Sequence, residues 1–310
     1  MQPLRLHCFI KCYAMNNCSR KIKTALLFTI AQLFLLGALC QQVKRPPLTG
    51  IAFVQVQVSD TKKARVFYES LMGYTLSAGA AVHGGTIHIN QRQSIQIQDG
   101  LPAGKDERLL CVAFQTTDAA AMHQYLRAKG VAVPATLRKA ADGSLSFGIT
   151  DPDKHPIQFV QYAGNVKAQA LTVPGSKAIS RRILHAGLTI ADSAAAGVFY
   201  RDILGFAEIW RGGSNDSVTS WINMRVPEGT DYLEYMLVGG PVSRQQLGSL
   251  HHIALMVPDM QQAVDLLGAR SAATGYPVSA PRVGRNNRWQ LNLFDPDGTR
   301  IELMEPFTMR

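Results

Sequence analysis

Four stretches of the chain alternate apolar and polar residues, reach an aspartate, and then change period. They are IAFVQVQVSD from residue 51, LLCVAFQTTD from 109, ILHAGLTIAD from 183 and LHHIALMVPD from 250. Alternation at period two marks a strand with two unlike faces. Past Asp60, Asp118, Asp192 and Asp259 the pattern turns helical. Asp suits that boundary because its carboxylate accepts from the free N–H groups of a first helical turn. Gly73, Gly130 and Gly205 follow three of the helices, where a C-terminal cap belongs. Shorter alternating runs come next, such as TIHINQRQSIQIQ and SVTSWINMRV. The repeating unit is therefore strand, helix and about three strands, written four times. Between the second and third units lies a polar segment holding Pro174 and Gly175. The pattern predicts domains over 48–163 and 181–308, joined by a linker over 164–180.

The paired βαβββ units resemble the vicinal oxygen chelate superfamily, which includes glyoxalase I, bleomycin-resistance proteins and type I extradiol dioxygenases. The motifs that carry the resemblance are Phe67-Tyr68 and Phe199-Tyr200 in first helices, Leu204-Gly205-Phe206 closing one, and Asp295-Pro296-Asp297-Gly298 before the last strand. It implies an α+β fold of four βαβββ modules paired into two domains, each a strongly curved mixed sheet around a cup. One scaffold hosts several chemistries, so the reaction must be read from the site.

Strand parity selects the site. Ile253, Leu255 and Val257 form the side that packs on the helix, so His252 shares the other face with Ala254 and Met256. In the third unit Ala186, Leu188 and Ile190 point inward, and His185 sits opposite with Gly187 and Thr189. Both histidines precede their capping Asp by the same interval. Glu302 alternates with Ile301 and Leu303, and Glu234 in TDYLEYMLV ends the third unit as Glu302 ends the fourth. His185, Glu234, His252 and Glu302 thus occupy matched positions in the C-terminal half. Two imidazoles and two carboxylates suit one divalent metal, Zn, Ni, Fe(II), Mn or Co, with positions left for water and substrate.

The corresponding positions of the N-terminal half hold Phe53, Cys111, Gln158 and Gln96. Phenylalanine cannot ligate, and a neutral amide stands where no cation needs neutralising. That domain is expected to be degenerate, without metal, and a structural partner or at most a substrate wall. His251 is expected to be structural. His83, His88, His123 and His155 match no repeat position and read as surface or loop residues. The Asp-Pro-Asp-Gly segment reads as turn chemistry without a catalytic role.

For the reaction, the resemblance implies that the metal holds two oxygens of a small substrate. In glyoxalase-like lyases or isomerases one glutamate shuttles the proton, a role open here to Glu302 or Glu234. The rival is an extradiol-type ring-cleaving dioxygenase with a 2-His-1-carboxylate iron, met by His185, His252 and Glu302. Those enzymes use a further His before the final turn, where this chain has Asn286, Asn287 and Arg288. Tyr232 and Tyr235 could supply a hydroxyl instead. A third reading is a non-catalytic ligand-binding or resistance protein. Trp210, Arg211, Trp221, Arg288 and Trp289 are the expected pocket lining.

Composition narrows the setting. The chain has 310 residues, 46% hydrophobic and 17% charged, enough to bury a substantial core. Its net charge of +10 looks like a nucleic-acid signature until it is located. Arg5, Lys11, Arg20, Lys21, Lys23, Lys44 and Arg45 crowd the first 46 residues, which contain no acid. The body is only mildly basic, which argues against nucleic acid as a partner. Lys23 is followed by TALLFTIAQLFLLGALCQQV, so residues 1–42 read as a signal peptide or membrane anchor. Met15 is an alternative start, Ala38-Leu39-Cys40 resembles a cleavage site, and Cys40 admits lipidation. Each version exports the body, with membrane contact only through that segment. Cys111 is the one cysteine beyond it, so the body has no internal disulfide. A small-molecule substrate is the expected partner, and a homodimer is left open.

Overall fold

The computed structural model describes residues 43–79, 82–105, 107–164, 177–240, 242–243, 246–247 and 250–307. The expected export segment lies outside them. Among the described residues no helix is long and apolar enough to cross a membrane.

Among the described residues sixteen strands form two eight-stranded sheets. The first comprises β1 (Leu48–Gln57), β2 (Leu76–Gly79), β3 (Val82–His88), β4 (Ser94–Gln98), β5 (Leu109–Thr116), β6 (Arg138–Lys139), β7 (Leu145–Thr150) and β8 (Pro156–Gln161). The second comprises β9 (Ile183–Ile190), β10 (Ala207–Gly212), β11 (Trp221–Arg225), β12 (Tyr232–Leu237), β13 (His252–Met256), β14 (Arg282–Val283), β15 (Trp289–Phe294) and β16 (Arg300–Met304). Their spatial orders are β2-β3-β4-β1-β5-β8-β7-β6 and β10-β11-β12-β9-β13-β16-β15-β14. Adding eight to each label of the first gives the second, so the repeat in the sequence is a repeat in space. The fold is α+β, with mixed curled sheets built from βαβββ modules.

Helix α1 runs over Thr61–Arg65 and continues in π geometry over Val66–Leu71; α2 is Ala119–Ala128. Helix α3 is Ser193–Ala196 continuing as a π turn over Gly197–Ile203, and α4 is Met260–Thr274. Asp60, Asp118, Asp192 and Asp259 each accept backbone N–H bonds from the first turn, as the sequence pattern predicts. Gly73, Gly130 and Gly205 take positive φ at their helix ends, and Gly275 does the same for α4, a stop the pattern did not mark.

One core cluster fills the space between sheets and helices, and it is continuous across both halves. The π turns in α1 and α3 set the Phe-Tyr pairs edge to face, Phe67–Tyr68 at 4.9 Å and Phe199–Tyr200 at 4.8 Å. Each tyrosine then reaches into the opposite half. Tyr68 donates to the buried Asp295 at 3.2 Å, and Tyr200 to the buried Asp151 at 2.9 Å. The Asp-Pro-Asp turns are therefore also anchors between domains.

The surface-or-loop reading fails for His88, which is half-buried on β3, and for His123, while His155 does stand in a loop but is buried there. His123 is buried on α2, its Nε2 2.7 Å from the Pro134 carbonyl. His155 is buried as well, with Nδ1 2.9 Å from Asp151 and Nε2 3.4 Å from Thr189 Oγ1. Neither is a surface residue, because each meets a polar partner that only the tertiary fold supplies. His251 is structural as expected, with Nε2 2.8 Å from Thr189 Oγ1 and Nδ1 2.8 Å from Glu107.

Candidate metal centre

The register of four central strands builds the site in two rows. In the first, Glu234 on β12 lies beside Gly187 on β9, which lies beside His252 on β13. In the second, His185 on β9 lies beside Ala254 on β13, which lies beside Glu302 on β16. Each row pairs an imidazole with a carboxylate across a residue that has almost no side chain. The small residues are a steric requirement. A Cβ at Gly187 would stand 2.0 Å from His252 Cε1 and Nδ1, inside the imidazole itself. Its φ is not in the left-handed region, so the demand is for space rather than for backbone freedom.

The four polar tips meet at one place. His185 Nε2 and His252 Nε2 are 2.9 Å apart, and Glu234 Oε2 lies 3.2 Å from His252 Nε2 and 3.7 Å from His185 Nε2. Glu302 Oε2 lies 3.5 and 3.6 Å from the same two nitrogens. All four ligand atoms fall within 4.8 Å of one another, and all four residues are buried. Ligands bound at about 2.0–2.2 Å around one ion would stand roughly 3–3.5 Å from their neighbours, so the spacing fits.

Protonation points the same way. His252 Nδ1 lies 2.7 Å from the Leu250 carbonyl, which can only accept, so Nδ1 carries the hydrogen and Nε2 offers its lone pair to the cup. Burial, with the nearby Arg300 and His185 charges, holds His252 well below its usual value, so the ring is neutral. Burial raises the Glu302 carboxyl, but the His185 imidazole 3.6 Å away and the Arg300 charge outweigh it and bring it below the ordinary value. Among the described residues neither glutamate pairs with a lysine or arginine. Two buried carboxylates that pair with no lysine or arginine among the described residues, faced by the His252 lone pair and the His185 imidazole, could hold a divalent cation.

The N-terminal half repeats the rows with other residues. Gln96, Gln55 and Cys111 stand where Glu234, Gly187 and His252 do, and Phe53, Ala113 and Gln158 where His185, Ala254 and Glu302 do. Gln55 carries a side chain where Gly187 has none, its amide donating to Gln98 Oε1 at 3.3 Å. Burial pushes the Cys111 thiol up to about 12, which keeps it protonated.

Three of the expected pocket residues face the cup side. Trp210 pairs with Asn223, which pairs with Glu234, and Trp221 pairs with Met236. Trp221, Met236 and Leu250 border a recess of about 340 Å³. Arg288 is half-buried, and its charge acts on Tyr232. Two do not face it. Trp289 shares its strand side with Leu291 and Leu293 and packs on the main core. Arg211 is an odd step from Trp210 and is tied to Glu208 at 2.6 Å on the exposed side.

Tyr232, expected only as a possible hydroxyl donor, and three residues not singled out from sequence also contribute. Tyr232 stacks on His185, ring centres 4.5 Å apart, with its hydroxyl 3.6 Å from Met304 sulfur. Asn223 pairs with Glu234 and Asn292 with Glu302, and each amide oxygen is buried without a partner among the described residues. Arg300 pairs with His252 across β13 and β16, and its Nε is buried without a partner. The signal for all four was their even spacing from a ligand or their place on the next strand, which needs the register to be read. Tyr235 faces the helix side, 5.7 Å from the Tyr200 ring, and contributes nothing to the cup.

A two-domain curled-sheet protein with a buried His/Glu cluster in one cup is the class that fold and site define. The family model "Glyoxalase/Bleomycin resistance protein/Dioxygenase superfamily" matches residues 50–159 and 182–303, and the chain belongs to that superfamily. Among solved structures, the 2,3-dioxygenase LapB from Pseudomonas sp. KL28 is similar at a TM-score of 0.63 and 15% identity, covering 84% of this chain and 93% of that one. Homoprotocatechuate 2,3-dioxygenase from Brevibacterium fuscum, in complex with 3,4-dihydroxyphenylacetate, gives 0.62 and 20%, covering 84% and 82%. The enzyme of that name from Arthrobacter globiformis gives 0.62 and 20%, covering 84% and 80%. At such identities the likeness establishes the fold alone. No curated protein matches the sequence.

Proposed function

We propose that the chain is a divalent-metal-dependent enzyme of the glyoxalase type, a lyase or isomerase acting on a small oxygenated substrate in the C-terminal cup. The observation that carries this reading is the position of Glu234, whose Oε2 is 3.2 Å from His252 Nε2. Two carboxylates rather than one face the place an ion would take. His185, His252, Glu234 and Glu302 would hold Zn, Ni, Fe(II), Mn or Co. Bound there, the ion supplies Lewis-acid polarisation of substrate oxygens.

The chain's own residues manage the proton. Of the two glutamates, Glu234 is the more open, its side chain 11% exposed against 5% for Glu302. It therefore takes a proton from the substrate carbon at a carboxylate oxygen and returns it at the neighbouring carbon. Tyr232 and the neutral His252 keep water away from that exchange, because both are buried. Arg288 and Arg300 favour a substrate with anionic or strongly polarised oxygens.

A second reading is an extradiol-type dioxygenase using His185, His252 and Glu302. What favours it is the likeness in fold to the two 2,3-dioxygenases over 84% of this chain. One variant separates the two. In the glyoxalase-type reading Glu234→Gln lowers kcat about 10²–10⁴-fold, the usual contribution of a general base, while metal stays bound. Metal analysis of protein purified without chelators, followed by oxygen-electrode assays with catechols, supplies the counter-test. Catechol-dependent oxygen uptake that survives Glu234→Gln would reject the proposal in favour of the dioxygenase.

A further inference from the structure

The cup of the first domain holds uncharged residues at the positions that carry the His/Glu cluster in the second. It encloses a cavity of about 710 Å³ that opens to solvent, within the roughly 300–1,000 Å³ typical of small-molecule sites. Phe53 lies at its floor and Tyr162 at its mouth, with Thr86, His88, Ser94 and Gln96 on its walls. Those four wall residues belong to β3 and β4 and share one face. Thr86 pairs with Gln96 and His88 with Ser94, while the intervening Ile87 and Ile95 enter the core. Their side chains make no hydrogen bond within the described residues. This sets them apart from Gln93, Gln115 and Gln161, whose amides are spent on the fold. Asp142 and Arg92 stand exposed at the rim, one of each sign. Below them the walls carry no ionised group.

We propose that this cup is a second binding site, separate from the metal centre, for an uncharged polyhydroxylated molecule of sugar size. A hydroxyl both donates and accepts, and so do the amide of Gln96, the hydroxyls of Thr86 and Ser94 and a neutral imidazole at His88. Burial keeps His88 below its usual imidazole value, so it meets a ligand uncharged. An ionised ligand would lose hydration there without gaining a counter-charge. The ring faces of Phe53 and Tyr162 suit the C–H face of a sugar, which buries apolar area while the hydroxyls reach the walls. A metal is not the occupant, since the ligating positions hold Phe53, Gln96, Cys111 and Gln158.

The test uses the full chain and ligand-observed NMR, with affinities from calorimetry. The probes are glucose, N-acetylglucosamine and maltose, with glucuronate and glucosamine as charged counterparts. At least one uncharged sugar is expected to bind at millimolar Kd or tighter, and its charged counterpart more weakly. Gln96→Leu and His88→Ala should each weaken binding tenfold or more, with metal content and far-UV dichroism unchanged; the second covers a failure of the first to fold. His252→Ala should remove metal and leave sugar affinity intact. No binding by any of the three sugars, tighter binding of the charged probes, or loss of sugar binding in His252→Ala but not in Gln96→Leu would overturn the proposal.

Discussion

At the scale of single residues, the most informative side chain outside the metal cup is Asp295. It accepts from the Asp297 and Thr299 amides at 3.0 and 2.8 Å and from the Tyr68 hydroxyl at 3.2 Å. Burial nonetheless pushes its carboxyl from 3.8 up to about 6, against those bonds. The sign of the linkage follows. Between pH 4 and 6 the folded chain holds a proton there that the unfolded chain has released, so stability falls as pH rises through that window. A shift of that size corresponds to about 2–3 kcal/mol. Asp295→Asn should remove this part of the slope. Urea unfolding of both proteins in EDTA from pH 4 to 7 reads it, and parallel curves would refute the assignment. The residue's chemistry was half legible: Asp-Pro-Asp-Gly announced a turn, but its tyrosine partner lies 227 positions away and left no local trace. The four candidate ligands were legible for the opposite reason. Each recurs at a matched place in a repeat, so one alignment picks out all four. Arg211 and Trp289 were misplaced because a residue's attraction for a pocket says nothing about which strand face it occupies.

At the scale of elements, strand parity and register turn repeat units into a site. Alternation placed His185 and His252 on the face away from the helices. It could not tell that Gly187 separates Glu234 from His252, because the pairing of β12 with β9 joins segments about fifty residues apart. The capping aspartates were legible because a cap is local. The π turns were not, since nothing local in Val66–Leu71 or Gly197–Ile203 marks the change from α geometry. The glycine offers the sharpest test at this scale. In Gly187→Ala the new Cβ must displace the His252 ring, since 2.0 Å is far below any contact distance. Metal affinity should drop at least tenfold, the usual effect of disturbing a ligand's support. The strand should survive, because Ala fits its backbone angles and Ala254 already stands at the equivalent place on β13. Competition with a chromophoric chelator gives the affinity, and dichroism checks the fold. Unchanged affinity would mean that His252 is not held where the cup needs it.

At the scale of the whole molecule, the two domains named by the repeat are not the units that pack. Helix α1 of the first half lies against α4 of the second, with Phe67 5.5 Å from the Tyr276 ring and Arg270 donating to the Leu71 carbonyl at 2.9 Å. Helix α2 meets α3 in the same way, Tyr125 donating to the Ile203 carbonyl at 2.7 Å and Phe114 5.3 Å from Phe206. Asp231 of the second half accepts from the Ile51 amide and the Gln93 side chain of the first. Each half therefore completes the other's core, and the first domain holds up the sheet that carries the candidate ligands. Cooperative unfolding is the consequence. All three tryptophans, Trp210, Trp221 and Trp289, lie in the second half, so their fluorescence reports on that half alone. Tyr68→Phe changes only the first half in sequence, yet it leaves the buried Asp295 of the second short of a donor. An acceptor so stranded costs about 1–3 kcal/mol. The tryptophan transition in urea should shift by that amount and should still coincide with the transition seen by far-UV dichroism. Two separate transitions, or a tryptophan midpoint unmoved by Tyr68→Phe, would mean that the halves fold independently and that the tyrosine–aspartate anchors are incidental.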